Sequence, residues 1–258
     1  MGKKKYIAIL LVIVIVIAAI AIIDSSIPKK SQVKVSVSKV IEDHADEVSA
    51  GKVAETAYIF DVSITNKGSA KLSLNPCDFC IVTSNGTLAA DTSGFFSNVT
   101  SQLHSSSLSS GQSATGQIYD AFADNVKISS IYYSYDGQHY TAASIPNVSQ
   151  WISYIGDINV QTNDTNITAT CTPSIVGSGY NSGTVLSVNI SITNYEFASN
   201  ASITALTVPN QYLTNYIHTK LPTSIGYDQK AYIILNITMP DSSHYYKNID
   251  IDITASNQ

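Results

Sequence analysis

The chain has 258 residues, with 14 basic and 19 acidic side chains for a net charge of −5, and every basic residue is a lysine. Residues 1–30 hold five lysines against Asp24, a balance of +4, so residues 31–258 carry −9. An acidic, arginine-free chain lacks the cationic surface that grips phosphates, which excludes nucleic acid as an expected partner.

Residues 1–5 are a lysine-bearing tip, followed by an uncharged apolar run over residues 6–23 that ends at Asp24. Eighteen residues at helical rise span ~27 Å, close to the ~30 Å hydrocarbon core of a bilayer. Lys3, Lys4 and Lys5 on the near side place the N-terminus in the cytoplasm and everything beyond residue 24 outside. The expected partner of residues 6–23 is therefore the cell membrane, in a single pass. The alternative is a cleaved secretory signal, for which Ala19-Ile20-Ala21 offers a small-x-small site, although Ile22 and Ile23 prolong the apolar run past it.

Residues 24–32 read as a juxtamembrane linker. From there the dominant signal is period two, punctuated by Gly, Asn, Asp and Pro, which predicts an all-β chain of sandwich type. Strands are expected over residues 34–40 and 60–64, and around Phe79 and Ile81 up to the turn Ser84-Asn85-Gly86. A hairpin is expected over residues 131–143, turning at Asp136-Gly137, a pair that supplies the positive φ such turns need. Further strands fall over residues 185–193, 231–239 and 248–253. Asp61-Val62-Ser63-Ile64-Thr65-Asn66 recurs as Asn189-Ile190-Ser191-Ile192-Thr193-Asn194. Its equivalent place in two halves of similar size points to two tandem immunoglobulin-like β-sandwiches, residues 33–143 and 153–258, joined by a linker over residues 144–152.

The stretch DVSITNKGSAKLSLNPCDFCIVTSNG, with LSSGQSATGQIYDAF downstream, carries a resemblance. Thr65-Asn66, Leu74-Asn75-Pro76-Cys77-Asp78-Phe79 and the segment from Gly111 to Gly116 resemble the extracellular immunoglobulin-like domains of prokaryotic lipoproteins and anchored proteins. That family is a domain of unknown function related to secreted immunoprotective antigens. The resemblance covers residues 33–143 and implies a fold; the family has no shared catalytic motif, so it implies no activity. The chain departs from the family in having no lipobox cysteine after its apolar run and in placing cysteines at 77 and 80. The second half is similar, more loosely, to adhesion-type sandwiches.

Several residue groups are candidates for chemistry. Cys77 and Cys80 have the spacing of a local disulfide, of free thiols, or of a redox or metal motif, although the helix N-terminus or second cysteine pair such motifs use is not evident. Cys171 is in phase with Ile167 and Ala169 and is expected in the core. Glu42-Asp43-His44-Ala45-Asp46-Glu47 is the densest acidic cluster, open to reading as oxygen ligands for Ca²⁺ or as a solvated connection. Tyr132, Tyr133, Tyr135 and Tyr140 are a candidate aromatic recognition surface, against the alternative that one alternating set packs inward. Sequons place candidate glycosylation at Asn85, Asn98, Asn147, Asn163, Asn166, Asn189, Asn200 and Asn236, and strand alternation turns Asn189 and Asn236 outward.

No catalytic signature and no cofactor motif is found, so the expectation is a non-enzymatic, membrane-anchored extracellular protein. Its partners are expected among other envelope or surface proteins, in adhesion or envelope structure. A small-ligand or ion-binding module is the second reading, and a secreted protein follows if the signal is cleaved.

Overall fold

The computed structural model describes residues 32–45, 51–52, 54–90, 98–135, 138–140, 142–197, 199–221 and 223–257. The expected tip and anchor over residues 1–23, the turn residues Asp136 and Gly137, and Asp46 and Glu47 lie outside them. Among the described residues no helix is long and apolar enough to cross a membrane.

The protein is mostly β. The first half holds β1 (Val33–Asp43), β2 (Glu55–Asn66), β3 (Leu72–Leu74), a 3-10 turn (Pro76–Asp78), β4 (Phe79–Thr83), β5 (Gly86–Ala89) and β6 (Ser106–Leu108). It continues with β7 (Ser113–Ala123), β8 (Ile128–Tyr135), β9 (Gln138–His139) and β10 (Ala143–Ser144). The second half begins with β11 (Gln150–Thr162), β12 (Ile167–Thr172), β13 (Ile175–Asn181), β14 (Val185–Asn194) and β15 (Ala201–Thr207). It ends with β16 (Thr214–Ile217), β17 (Thr223–Ile225), β18 (Lys230–Thr238) and β19 (Tyr245–Asn257).

Alternation decides which face each strand buries. In β14, Leu186, Val188, Ile190 and Ile192 are buried while Val185, Ser187 and Asn189 are exposed. Branched side chains at every second position fit a pleated surface with one dry face. In the first half, β1, β2 and β7 share an apolar cluster with β4 and β8, including Val35, Phe60, Ile64, Phe79, Ile131 and Tyr133. In the second half, the sheet β12-β14-β18-β16 shares another with β11, β15 and β19, including Ile158, Val188, Ile190, Ile203, Leu235 and Ile251.

The halves repeat one pairing scheme. β2 lies between β1 and β7, with Asn66 opposite Val33 and Thr65 opposite Ser113. β14 lies between β12 and β18, with Asn194 opposite Ile167 and Thr193 opposite Lys230. β3 pairs with β6 as β15 pairs with β17.

The two halves are also joined through one sheet. β1 runs parallel to β11 through Ile41↔Gln150, Glu42↔Trp151 and Asp43↔Ile152. From Tyr154 onward β11 pairs, again in parallel, with β19 from Tyr245. So β1 ends along β11 where β19 begins. Residues 150–152, expected in a linker, are strand. Period-two reading locates a strand by its burial pattern but carries no signal for a three-residue parallel contact.

Candidate functional site

Several buried polar side chains lie at the joint between the halves, among them Asp43, His44, Thr56 and Ser153. Asp43 ends β1, His44 follows it, and both are buried. Asp43 Oδ1 accepts from the Ala45 amide at 2.9 Å and its Oδ2 accepts from Asn98 Nδ2 at 2.6 Å. The Thr56 hydroxyl, on β2, donates to Asp124 Oδ1 at 2.8 Å. Having spent its one proton there, it accepts from His44 Nδ1–H at 2.8 Å. That makes Nδ1 a donor, while Nε2 is buried without a hydrogen-bond partner among the described residues. The order imidazole–hydroxyl–carboxylate differs from a nucleophile relay, where the imidazole sits between the other two. Its physical effect is to tie the end of β1 to β2 and to the turn after β7.

From the second half, Ser243 Oγ donates to Glu42 Oε1, and the His44 ring lies 6.0 Å from that of Tyr245. His244 stacks on Tyr212 at 4.5 Å with its Nε2 at 2.7 Å from Ser242 Oγ. Burial, and then the neighbouring His44, push the His244 pKa below the ordinary imidazole value, with Glu42 opposing. Lys39 Nζ donates to Gln150 Oε1 at 3.1 Å, and Gln150 Nε2 to Asn181 Oδ1 at 2.7 Å. A small apolar cluster of Ile41, Ala45, Ile59, Tyr119 and Ile152 fills the space between. Gly179, on β13, permits this approach: a Cβ there would stand 2.6 Å from Ala45 Cβ.

A groove of about 430 Å³ opens beside the joint, walled by Val40, Phe60, Ile128 and Val148, with Glu42, Tyr58 and Lys127 on its lining. Burial first, then the Glu42 carboxylate it bonds, hold the Tyr58 phenol well above its ordinary range. The acidic cluster is thus corrected in part: Asp43 and His44 are packed into the joint and do not lie in a solvated connection. Among the described residues no group of three or more His, Cys, Asp or Glu could hold a metal ion.

The tyrosine surface also needs correction. Tyr133 and Tyr140 are buried, because they share the inward phase of Ile131. Tyr133 meets Phe79 edge-on at 5.0 Å, and its hydroxyl accepts from the Asn75 amide at 3.0 Å and lies 3.1 Å from the Ser73 carbonyl. Burial, with the Asp78 carboxylate alongside, raises its pKa. Tyr132 and Tyr135 are half-buried, so the four do not form one exposed patch.

Among the described residues no disulfide joins Cys77 to Cys80. The 3-10 turn leaves Cys77 exposed, while Cys80, the second residue of β4, is half-buried with its thiol 3.9 Å from the Asp78 carbonyl. Cys171 packs partly against the second core, and burial raises its pKa. Asn85, Asn147, Asn189 and Asn200 are exposed. Asn98 bonds Asp43, Asn163 bonds the backbone of Ala255, Asn166 bonds Glu196, and Asn236 bonds His218.

Exposed aromatic residues in the second half went unremarked in the sequence. Phe197 and Tyr227 meet edge-on at 5.4 Å, and Tyr216 and Tyr232 stand out from β16 and β18. Their signal was parity: Tyr232 alternates with the buried Ile233 and Leu235.

No curated protein and no solved structure matches the chain. Residues 27–139, which take in β1 through β9, match the family model DUF4352, a domain of unknown function.

Proposed function

We propose that the protein is a single-pass, membrane-anchored extracellular protein whose two immunoglobulin-like sandwiches form a stiff display stalk for adhesion or protein interaction at the cell envelope. One observation supports the reading: β1 and β19 follow each other along β11, which puts Val33, at the start of β1, toward one end and the end of β19 toward the other. Residues 6–23 supply the anchor, the lysines before them set the cytoplasmic side, and the sequons suit an outer address. The relation of residues 33–143 to secreted immunoprotective antigens belongs to the same reading. Protease shaving of intact cells tests it. The expected result is release of fragments from residues 32–258 while residues 6–23 stay in the membrane fraction. Full protection in intact cells contradicts it, and recovery of a soluble chain starting near residue 22 establishes the secreted form.

The groove at the joint favours a second reading, a module for a small zwitterionic ligand. Its apolar walls carry Glu42 and Lys127 together. Binding to the native state raises the melting temperature, so a thermal-shift panel of free amino acids and short peptides decides it. An unmoved transition across the panel counts against a ligand of this class.

A further inference from the structure

The outer face of the sheet β12-β14-β18-β16 differs in kind from the rest of an acidic protein. Its four strands contain no carboxylate and one charged residue, Lys230 at an end. Tyr216 and Tyr232 are 65 % and 68 % exposed on it, and Ile234 between them is 43 % exposed. Tyr216 meets His218 edge-on at 4.8 Å, and Asn236 Nδ2 lies 2.8 Å from His218 Nε2, which orients the imidazole. Ser191 faces Tyr232 and Asn189 faces Ile234 across the β14–β18 pairing.

The first half shows that this is not simply how such a face looks. Matching the registers puts Asp61, Thr115 and Gln117 where the second half has Asn189, Tyr232 and Ile234. There Gln117 Nε2 donates to Asp61 Oδ1 at 2.8 Å, and its Oε1 accepts from the Thr100 and Ser101 amides. The polar groups of that face are closed on one another. The second face is open, aromatic and uncharged.

We infer that this face is a binding platform for a neutral glycan. The C–H faces of pyranose rings stack on Tyr216 and Tyr232, and sugar hydroxyls bond Asn189 and Ser191. Tyr216 is opposite Asn236, four residues along β18 from Tyr232, which sets the two rings about 14 Å apart at strand spacings, the span of a short oligosaccharide. A face without carboxylates and with one lysine at its edge has nothing to match an anionic polymer. The inference deepens the display reading, which supplies the face's exposure to an outer milieu; binding in solution does not depend on the address.

The test uses the full chain, made in a bacterial host without N-glycosylation and held in a detergent that contains no sugar. It is screened against an array of neutral hexose and N-acetylhexosamine oligosaccharides, with hits titrated calorimetrically. The expected result is binding to at least one neutral oligosaccharide, weakened about tenfold or more in Y216A/Y232A. Asn189→Lys, at another exposed position, weakens it independently, and unchanged melting curves show that both variants fold. Retention of no neutral glycan, retention of anionic glycans alone, or binding indifferent to both variants overturns the inference. Self-association abolished by Y216A/Y232A without glycan binding overturns it too, and assigns the face to a second copy. Any of these results leaves the shaving experiment, and the display reading, untouched.

Discussion

Asn66 and Asn194 make the same hydrogen bonds at the same place in the two halves. Each Oδ1 accepts from the amide two residues on, Gly68 at 2.9 Å and Glu196 at 2.8 Å. Each Nδ2 donates to a carbonyl in the turn that follows, Ala70 at 2.7 Å and Ser199 at 3.1 Å. Each Nδ2 also donates to a carbonyl on the strand beside it, Leu108 at 2.8 Å and Ile225 at 2.9 Å. Both side chains are buried, so the amide replaces water for backbone groups that the turn strips from the ladder.

Substituting either asparagine by alanine strands these groups. A buried group left unpaired costs ~1–3 kcal/mol, and with partial access of water Asn66→Ala and Asn194→Ala are each expected to lose about 2–4 kcal/mol in stability. Urea unfolding checks this. A midpoint unchanged from the wild type would show that the bonds are dispensable.

Acid should weaken the joint. An unfolded histidine takes up its proton near pH 6.5, whereas folded His244 has its pKa depressed by burial and by His44. Below about pH 6.5 the unfolded state therefore binds more protons, and stability falls with pH until the folded group also titrates. Melting temperature should be level above neutrality and decline through the window below pH 6.5, with a shallower decline in His244→Gln. Trp151, the single tryptophan and the partner of Glu42 in the β1–β11 pairing, reports the joint by fluorescence. A melting temperature that rises on acidification through that window contradicts the assignment.

Tyr133 and Tyr132 should behave as opposites. Tyr133→Phe keeps the ring and removes a hydroxyl that serves the Asn75 amide, at an expected cost of ~1–2 kcal/mol. Tyr132→Ala, at a half-buried position on the other face, should cost less than Tyr133→Ala, which empties a core site for ~3–5 kcal/mol. Equal losses in the two alanine variants would undo the division of the hairpin into inner and outer faces.

Gly179→Ala tests the packing of the joint by overfilling it. The new methyl meets Ala45 Cβ and Ile152 Cγ2, and strain of this kind typically costs ~1–3 kcal/mol. A shifted Trp151 emission with intact β-sheet circular dichroism is the expected signature. An unaffected emission and melting curve would mean that the halves do not approach as closely as described.

The sequence disclosed what local alternation controls. Val188, Ile190 and Ile192 announce an inward face and Asn189 an outward one, and the Thr-Asn ending of both motifs marks the equivalent turns. Tyr133 was readable in principle, being in phase with Ile131, but four tyrosines close together look like a surface until each is assigned a side. The joint was not readable. Asp43 and His44 sit in an acidic run whose composition suggests solvent, and their burial depends on β11, Asn98 and Asp124 arriving from distant parts of the chain. The aromatic face was hidden for the same reason, since Tyr216 and Tyr232 come to share one face only through the β16–β18 pairing.

The central claim, that the halves form one stiff stalk, is tested most directly by a distance across the joint. Spin labels at Ser36→Cys on β1 and Thr254→Cys on β19, with Cys77, Cys80 and Cys171 replaced by serine, mark two exposed positions. At ~3.3 Å per strand residue the registers place them roughly 60 Å apart. Pulsed dipolar spectroscopy on the full chain should give one narrow distribution near that length. A broad distribution, or a main peak far shorter, would show two modules that move independently and would contradict the stalk.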